Sequence, residues 1–306
     1  MPNRIVSFLP SATEILYELG VGDKIVGVTH ECNYPEQAKS KPRVIHSSFD
    51  PDTMSSQEID NKVVDLMHSG KDIYILDDEI LKKANPDLIV AQGICEVCSP
   101  YTKEISRAVT ILDNKPEVLI LDPKNLENIL DNMLTIGNKV EKTKEAEKLV
   151  LELQQRIQYV NRRSIEPPKR VLCIEWLDPL FIAGHWVPQM VEMAMGIPPN
   201  GSGGTSTRMK IEEAIEHEPD VIVLMPCGFD VKRTILEYKK LANNPQWKSL
   251  DAVKNNEVYA VNANEYFSKP GPRTVTGLEI LAKIIQPKTY ADLKIPDDSF
   301  QKITKN

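Results

Sequence analysis

Short apolar runs alternate with stretches of helical periodicity through the first 120 residues. Between the runs, residues 55–69 carry Ile59, Val63 and Leu66 at helical spacing, which predicts a surface helix. Strands that alternate with helices are typical of parallel sheets with crossover helices, so this part of the chain is predicted to be an α/β lobe. The runs predicted to be strands are Lys24–Thr29, Leu88–Gln92, Thr110–Leu112 and Glu117–Leu121.

The longest helical pattern covers residues 126–163 and is interrupted only by Gly137. Val140, Leu149 and Leu153 recur on one face, which predicts one long helix that ends before Pro167 and Pro168. A second α/β series then follows, with predicted strands at Arg170–Glu175, Leu180–Ala183, Val221–Met225 and Val258–Val261.

This organisation predicts an N-terminal α/β lobe over residues 1–124, a linking helix over 125–166 and a C-terminal α/β lobe over 167–306. The alternative is one continuous α/β domain that contains a long helix.

Matching passages lie near the two ends of the chain and in its two halves. The apolar run Arg4–Pro10 leads into Ser11–Gly20, where Ser11 and Glu14 fit a capping box, and Glu257–Val261 leads into Asn264–Arg273 and another helix. The phrase Asn-Pro-Asp-Leu-Ile-Val at 85–90 recurs as Glu-Pro-Asp-Val-Ile-Val at 218–223.

From Arg4 to about Ile285 the chain resembles the helical-backbone family of cobalamin- and siderophore-binding proteins. The resemblance implies two Rossmann-like lobes that are joined by a long rigid helix and bind their ligand in the cleft between them. Four segments are most similar to a leaderless cobalamin-binding branch of that family: residues 30–34, 95–98, 184–186 and 225–228.

The charge and the cysteines narrow the class of partner and the compartment. The formal net charge of −7 provides no basic field for nucleic acid. The sequence contains no run of about 18 apolar residues, so no membrane-spanning helix is predicted. Met1-Pro2-Asn3 leads directly into the first strand without a signal peptide, and five cysteines without a disulfide spacing suit a reducing compartment. We therefore expect a cytoplasmic protein, and a leader removed from the chain is the alternative.

Residues with binding chemistry follow the predicted strands. In open α/β sheets ligands bind beyond the carboxyl ends of parallel strands, so these residues are the candidate site. The cysteines and histidines among them are His30, Cys32, Cys95, Cys98, His185 and Cys227. The aromatic residues are Phe49, Trp176, Trp186, Phe229, Tyr266 and Phe267, and Arg208 is available for anionic or amide groups of a ligand.

Together with the resemblance, these residues predict non-enzymatic binding of a corrinoid, cobalamin, for storage, handover or transport. Aromatic side chains would pack on the corrin ring. An imidazole nitrogen suits a borderline transition metal, and His185 is the histidine expected closest to the metal, with His30 second. An ABC importer or a corrinoid-handling protein is the expected partner.

Several alternatives remain open. The ligand could be an iron-siderophore or haem. A metal ion could instead be bound directly by His30, Cys32, Cys95 and Cys98, with His185 and Cys227 as further candidate ligands. Cys95 and Cys98 could also form a redox pair, although Ile94 replaces the aromatic residue of the thioredoxin arrangement. Taken singly, cysteines after strands also fill tight buried turns.

Overall fold

The computed structural model describes residues 1–93, 102–161, 165–201 and 204–304. The chain divides into two compact units. The first comprises Met1–Met54, Asn61–Pro123 and Glu127–Glu152, and the second comprises Ser55–Asp60, Lys124–Leu126 and Leu153–Asn306.

Six strands and six helices belong mainly to the first unit. The strands are β1 (Ile5–Ser7), β2 (Ile25–Thr29), β3 (Arg43–Ser47), β4 (Tyr74–Leu76), β5 (Leu88–Gln92) and β6 (Glu117–Leu121). The helices are α1 (Pro10–Glu18), α2 (Ser56–His68), α3 (Asp78–Ala84), α4 (Thr102–Ile111), α5 (Leu126–Lys139) and α6 (Thr143–Asn161).

The sheet of the first unit has the strand order β4-β3-β2-β1-β5-β6. Its strands pair in parallel except for β3 with β4. Strands β2, β3 and β4 follow one another on one side of β1, and β5 and β6 lie on its other side. The direction in which strands are added therefore reverses between β1 and β5. Apolar side chains from strands and helices form the core of this unit, among them Phe8, Val44, Leu81 and Ile89.

The second unit contains the remaining elements. Its strands are β7 (Lys169–Leu177), β8 (Leu180–Ile182), β9 (Gly196–Ile197), β10 (Thr207–Arg208), β11 (Val221–Leu224), β12 (Val258–Val261) and β13 (Phe300–Ile303). Its helices are α7 (Val187–Met193), α8 (Ile211–Glu216), α9 (Val231–Ala242), α10 (Pro245–Ser249), α11 (Asp251–Lys254), α12 (Ala263–Tyr266) and α13 (Thr274–Ile285).

Parallel strands β7, β11 and β12 form the centre of the second sheet, whose order is β10-β8-β7-β11-β12-β13. Strands β8, β10 and β13 are added antiparallel. The predicted α/β class is therefore confirmed in both units. Within the described ranges, no helix combines the length and the apolar character needed to cross a bilayer.

The long helix predicted from the sequence is two helices, α5 and α6. The chain turns at Glu141, whose φ of 57° lies in the left-handed region, and the backbone N–H of Lys142 donates to the carbonyl of Gly137. A Cβ at Gly137 would lie only 2.3 Å from that of Ala146, so the glycine allows α6 to pack closely on α5. The helical content of this segment was predicted correctly and its continuity was not.

Two further local predictions were wrong. Thr110–Leu112 is not a strand: Thr110 and Ile111 end α4, and Ala108 and Leu112 are buried four residues apart, at helical spacing. Ser11 and Glu14 form no capping box, because α1 already begins at Pro10 and both residues are buried inside the helix.

Candidate functional site

Hydrogen bonds join the loops that follow the parallel strands of the second unit. After β11, the backbone N–H of Cys227 donates to the carbonyl of Glu175 in β7 (3.1 Å). The N–H of Gly228 donates to Oγ of Ser268 (3.1 Å), and the N–H of Asn264 donates to the carbonyl of Phe229 (3.1 Å). The carboxyl ends of β7, β11 and β12 therefore form one connected surface.

Trp176 and Phe229, both candidates from the sequence, come together on this surface. Their ring centroids are 5.4 Å apart at an interplanar angle of 55°. Phe229 is buried and Trp176 is half-buried. The guanidinium of Arg233 lies over the Phe229 ring. Its Cζ is 3.9 Å from the ring centroid, within the range of a cation–π interaction. We call Trp176, Phe229 and Arg233 the aromatic stack.

The turn after β8 holds His185 in a left-handed conformation, with φ of 56°. Its backbone N–H donates to the carbonyl of Gly204 (2.6 Å). A Cβ at Gly184 would lie 2.4 Å from the backbone nitrogen of Ser206, so only glycine allows this close approach. His185 itself is half-buried.

The aromatic residues around His185 are largely core residues. The Trp186 ring lies 5.7 Å from the His185 ring, and its Nε1–H donates to the carbonyl of Phe267 (3.1 Å). Trp186, Tyr266 and Phe267 are 6%, 7% and 3% exposed, so they support this surface more than they form it. Their predicted contact with a ligand stays a prediction.

Arg208 and Cys227 differ in what they can offer a ligand. Nη2 of Arg208 lies 2.9 Å from a carboxylate oxygen of Asp60, and its Cζ lies 5.5 Å from the ring centroid of Phe181. Its guanidinium is therefore already paired with a carboxylate. Cys227 is exposed at the start of its loop.

In the first unit the surroundings of Cys32 favour a structural role, and its predicted contact with a ligand stays a prediction. Its side chain is completely buried, and its Sγ accepts a hydrogen bond from Oγ1 of Thr13 (3.1 Å) and shares another with Thr29. Cys32 thus fills the turn after β2, and we leave it out of the proposed site. The Arg43 guanidinium donates to the carbonyls of Thr29 and Cys32 and so holds this turn.

His30 and Phe49, which follow β2 and β3, are both half-buried in the first unit. Burial lowers the pKa of His30 below its ordinary value, although the neighbouring Glu31 opposes the shift. The imidazole is therefore biased toward its neutral form, the form that binds a metal. Its ring lies 6.0 Å from that of Tyr74.

Cys95 and Cys98 lie outside the described residues, so the redox-pair prediction stays a prediction. Among the residues that the structure does describe, no three His, Cys, Asp or Glu side chains are grouped so that they could hold a metal ion.

A surface cavity of about 440 Å³ opens elsewhere in the second unit. Its walls include Leu177, Leu180, Met209, Leu241 and Glu237. Of the candidate residues named from the sequence, those that the structure describes do not line it. We base the site on the strand ends, because the aromatic stack and the connected loops lie there.

Sequence reasoning missed Arg233 and Ser268. Arg233 stands four residues after Phe229 at the start of α9, where Asp230 accepts a hydrogen bond from its N–H as the helix cap. That cap could have been recognised from the sequence, and it would have placed Arg233 near Phe229. Ser268 accepts its hydrogen bond from Gly228, 40 residues earlier in the chain, and no local sequence pattern indicates this contact.

Comparison with known proteins identifies the family. The sequence profile of a family described as Periplasmic binding protein matches residues 5–265. The chain belongs to this family. Its members are solute-binding components of ABC-type transport and not enzymes, and the resemblance seen in the sequence is confirmed at that level.

Individual relatives cover nearly the whole chain at low identity. An uncharacterized ABC transporter substrate-binding lipoprotein of Bacillus subtilis, YvrC, is 25% identical over 300 residues, which are 95% of this chain and 82% of that protein. A vitamin B12-binding protein of Vibrio cholerae is 25% identical over 284 residues, 90% of this chain and 86% of that protein.

A crystal structure with the same fold is that of a periplasmic heme binding protein from Pseudomonas aeruginosa. It aligns with a TM-score of 0.71 at 18% identity and covers 94% of each chain. At that identity the likeness concerns the fold alone.

Proposed function

We propose that this protein binds a corrinoid, cobalamin, one molecule per chain. The observation that carries the proposal is the aromatic stack at the carboxyl ends of the parallel strands, where α/β sheets bind ligands. A partly exposed indole suits the apolar face of a corrin ring, and a guanidinium suits its amide and phosphate groups. The vitamin B12-binding relative supports this ligand class.

Calorimetric and spectroscopic titrations test the proposal. Hydroxocobalamin and cyanocobalamin are added to micromolar protein, with haemin and a ferric hydroxamate in parallel. We expect one corrinoid per chain and a change in the corrin absorption bands. No heat and an unchanged corrin spectrum would contradict corrinoid binding. Saturation by haemin or by the ferric hydroxamate alone would assign the ligand to the haem or siderophore class.

His185 is the proposed metal ligand. His185 is half-buried, and its left-handed backbone fixes the direction in which the side chain leaves the turn. If its nitrogen coordinates cobalt, hydroxocobalamin binds more tightly than cyanocobalamin, because water leaves cobalt more readily than cyanide does. His185→Ala should abolish this preference, with His217→Ala as a control on a histidine of a helix end. A preference that survives in His185→Ala would exclude the ligand role.

We also propose that the protein acts in the cytoplasm, in storage, handover or transport, with an ABC importer or a corrinoid-handling protein as its partner. Fractionation of cells that express the full-length gene tests the compartment. Recovery of the protein outside the cytoplasmic fraction would contradict the proposal.

A further inference from the structure

The first turn of α2 connects two side chains of the second unit through Ser56. This serine is completely buried. Its backbone N–H and its hydroxyl both donate to the same oxygen of Glu237, Oε2, at 3.1 and 2.9 Å. Its carbonyl accepts a hydrogen bond from Nε1–H of Trp176 at 3.2 Å. Ser56 therefore lies between the Glu237 carboxylate and the indole.

The same indole is also held from its other side. Glu237 lies one turn after Arg233 on α9, Arg233 stacks on Phe229, and Phe229 packs against Trp176. A tryptophan side chain has two rotatable bonds. The hydrogen bond to Ser56 fixes the direction of the N–H edge, and the packing on Phe229 fixes the plane of the ring, so together they define one orientation.

The start of α2 has a capping pair of its own, besides the bond from the Ser56 N–H to Glu237. Ser55 and Glu58 form this pair: the backbone N–H and the hydroxyl of Ser55 both donate to Oε2 of Glu58 at 2.7 Å. The backbone N–H of Glu58 donates back to Oγ of Ser55 at 3.4 Å, so these two residues form a reciprocal cap. The Glu237 carboxylate is thus an additional acceptor, directed at the residue that receives the indole N–H.

We propose that Glu237 is a positioning residue for Trp176: by holding Ser56, it sets the orientation in which the indole meets the ligand. The inference rests on the proposed function, in which Trp176 contacts the corrinoid. Without the carboxylate, two buried donors of Ser56 lose a charge-assisted acceptor. The Ser56 carbonyl then moves with the relaxing turn, and the indole loses its fixed partner.

The first experiment needs no ligand. The indole Nε1–H signal of Trp176 is assigned in NMR spectra by its loss in Trp176→Phe, and its hydrogen exchange is measured. We expect exchange at least about tenfold faster in Glu237→Ala, since a net hydrogen bond is worth about one factor of ten. Glu237→Gln keeps an acceptor and should restore most of the protection. Glu58→Ala removes only the helix cap and is the matched control.

The second experiment measures affinity for hydroxocobalamin. Glu237→Ala should weaken binding about tenfold in the wild-type background and have no effect in Trp176→Phe, which lacks the indole N–H. An equal loss in both backgrounds, or unchanged indole exchange in Glu237→Ala, would overturn the proposal. If Glu237→Ala does not fold, Ser56→Ala, which removes one of the two donors, takes its place with a smaller expected change.

The two experiments also separate this inference from the proposed function. If the wild-type protein binds no corrinoid, the proposed function fails, and the exchange of the indole N–H still decides whether Glu237 orients Trp176. If corrinoid binds and the exchange is unaltered by Glu237→Ala, the positioning role alone is wrong.

Discussion

The backbone around Gly184 leaves no space for a side chain. A Cβ there would meet backbone atoms of Thr205 and Ser206 at 2.5 and 2.4 Å, and backbone cannot move aside as a flexible side chain can. This close approach fixes the turn that carries His185.

Gly184→Ala should therefore lower the free energy of unfolding by about 1–3 kcal/mol, the usual cost of overpacking. Gly204 is the matched control, since a Cβ at that position meets no atom of the described residues within 4 Å. Urea unfolding of both variants measures the difference. Equal stability of the Gly184→Ala and Gly204→Ala variants would show that the turn adapts.

His30 makes the stability of the protein depend on pH. Burial lowers the pKa of His30 below its ordinary value of 6.5, with smaller contributions from His46 and Arg43 in the same direction and from Glu31 in the opposite one. Between the folded and unfolded pKa values the unfolded chain binds more protons. The stabilising contribution is therefore present above about pH 6.5 and is lost as the pH falls below it.

We expect the free energy of unfolding to decrease from pH 7 to pH 5, and His30→Asn to reduce this slope. His68→Asn, which changes an exposed histidine, is the control. Chemical denaturation at several pH values provides the measurement. Parallel curves for wild type and His30→Asn would exclude His30 as the source.

At the level of elements, an ion pair joins α6 to α13. The Arg156 guanidinium donates from Nε and Nη2 to the two carboxylate oxygens of Glu279, at 2.9 and 2.6 Å. The Glu279 side chain is only 9% exposed, whereas that of Arg156 is 39% exposed. Because the pair has two hydrogen bonds, it fixes the relative orientation of the two side chains as well as their distance.

Arg156→Ala leaves the Glu279 carboxylate buried without its partner. We expect a loss of about 1–3 kcal/mol of unfolding free energy, below the value for a fully buried pair because Arg156 is partly solvated. Lys254→Ala breaks the exposed pair with Asp251 and should change stability by less than about 0.5 kcal/mol. Similar losses for the two variants would mean that the Arg156 pair is no stronger than a surface pair.

For the whole molecule, the proposed ligand links binding to stability. A ligand that binds only the folded protein, present at about 100 times its Kd, raises the free energy of unfolding by about 2.7 kcal/mol. Hydroxocobalamin should produce this increase in the wild type. Trp176→Ala should shift the same curve by less at the same ligand concentration, because it removes the half-buried indole of the aromatic stack. An identical shift in wild type and variant would place the ligand away from Trp176.

The family relationship also belongs to this scale. The family match covers residues 5–265 and so includes the first end passage and both copies of the repeated Pro-Asp phrase. In the proposed function, the identity of the solute depends on a few side chains at the strand ends. Relatives with 25% identity therefore support a solute-binding function and leave its ligand to the titrations.

The sequence by itself determined the α/β class, the family and several elements. Leu88–Gln92, Glu117–Leu121 and Val258–Val261 are strands with the predicted bounds. Buried parallel strands are continuous apolar runs between turn residues, and this local pattern is sufficient to identify them. Strands without such runs were missed, among them β3, β4 and β13.

Only the tertiary structure decided which side chains meet. Gly137 packs against Ala146 beside the turn at Glu141, Cys32 accepts a hydrogen bond from Thr13, and the Trp176 indole donates to the carbonyl of Ser56, 120 residues away. Such contacts join different elements of the fold. They leave no periodic pattern along the chain, because periodicity records which face of an element is buried and not which side chain covers it.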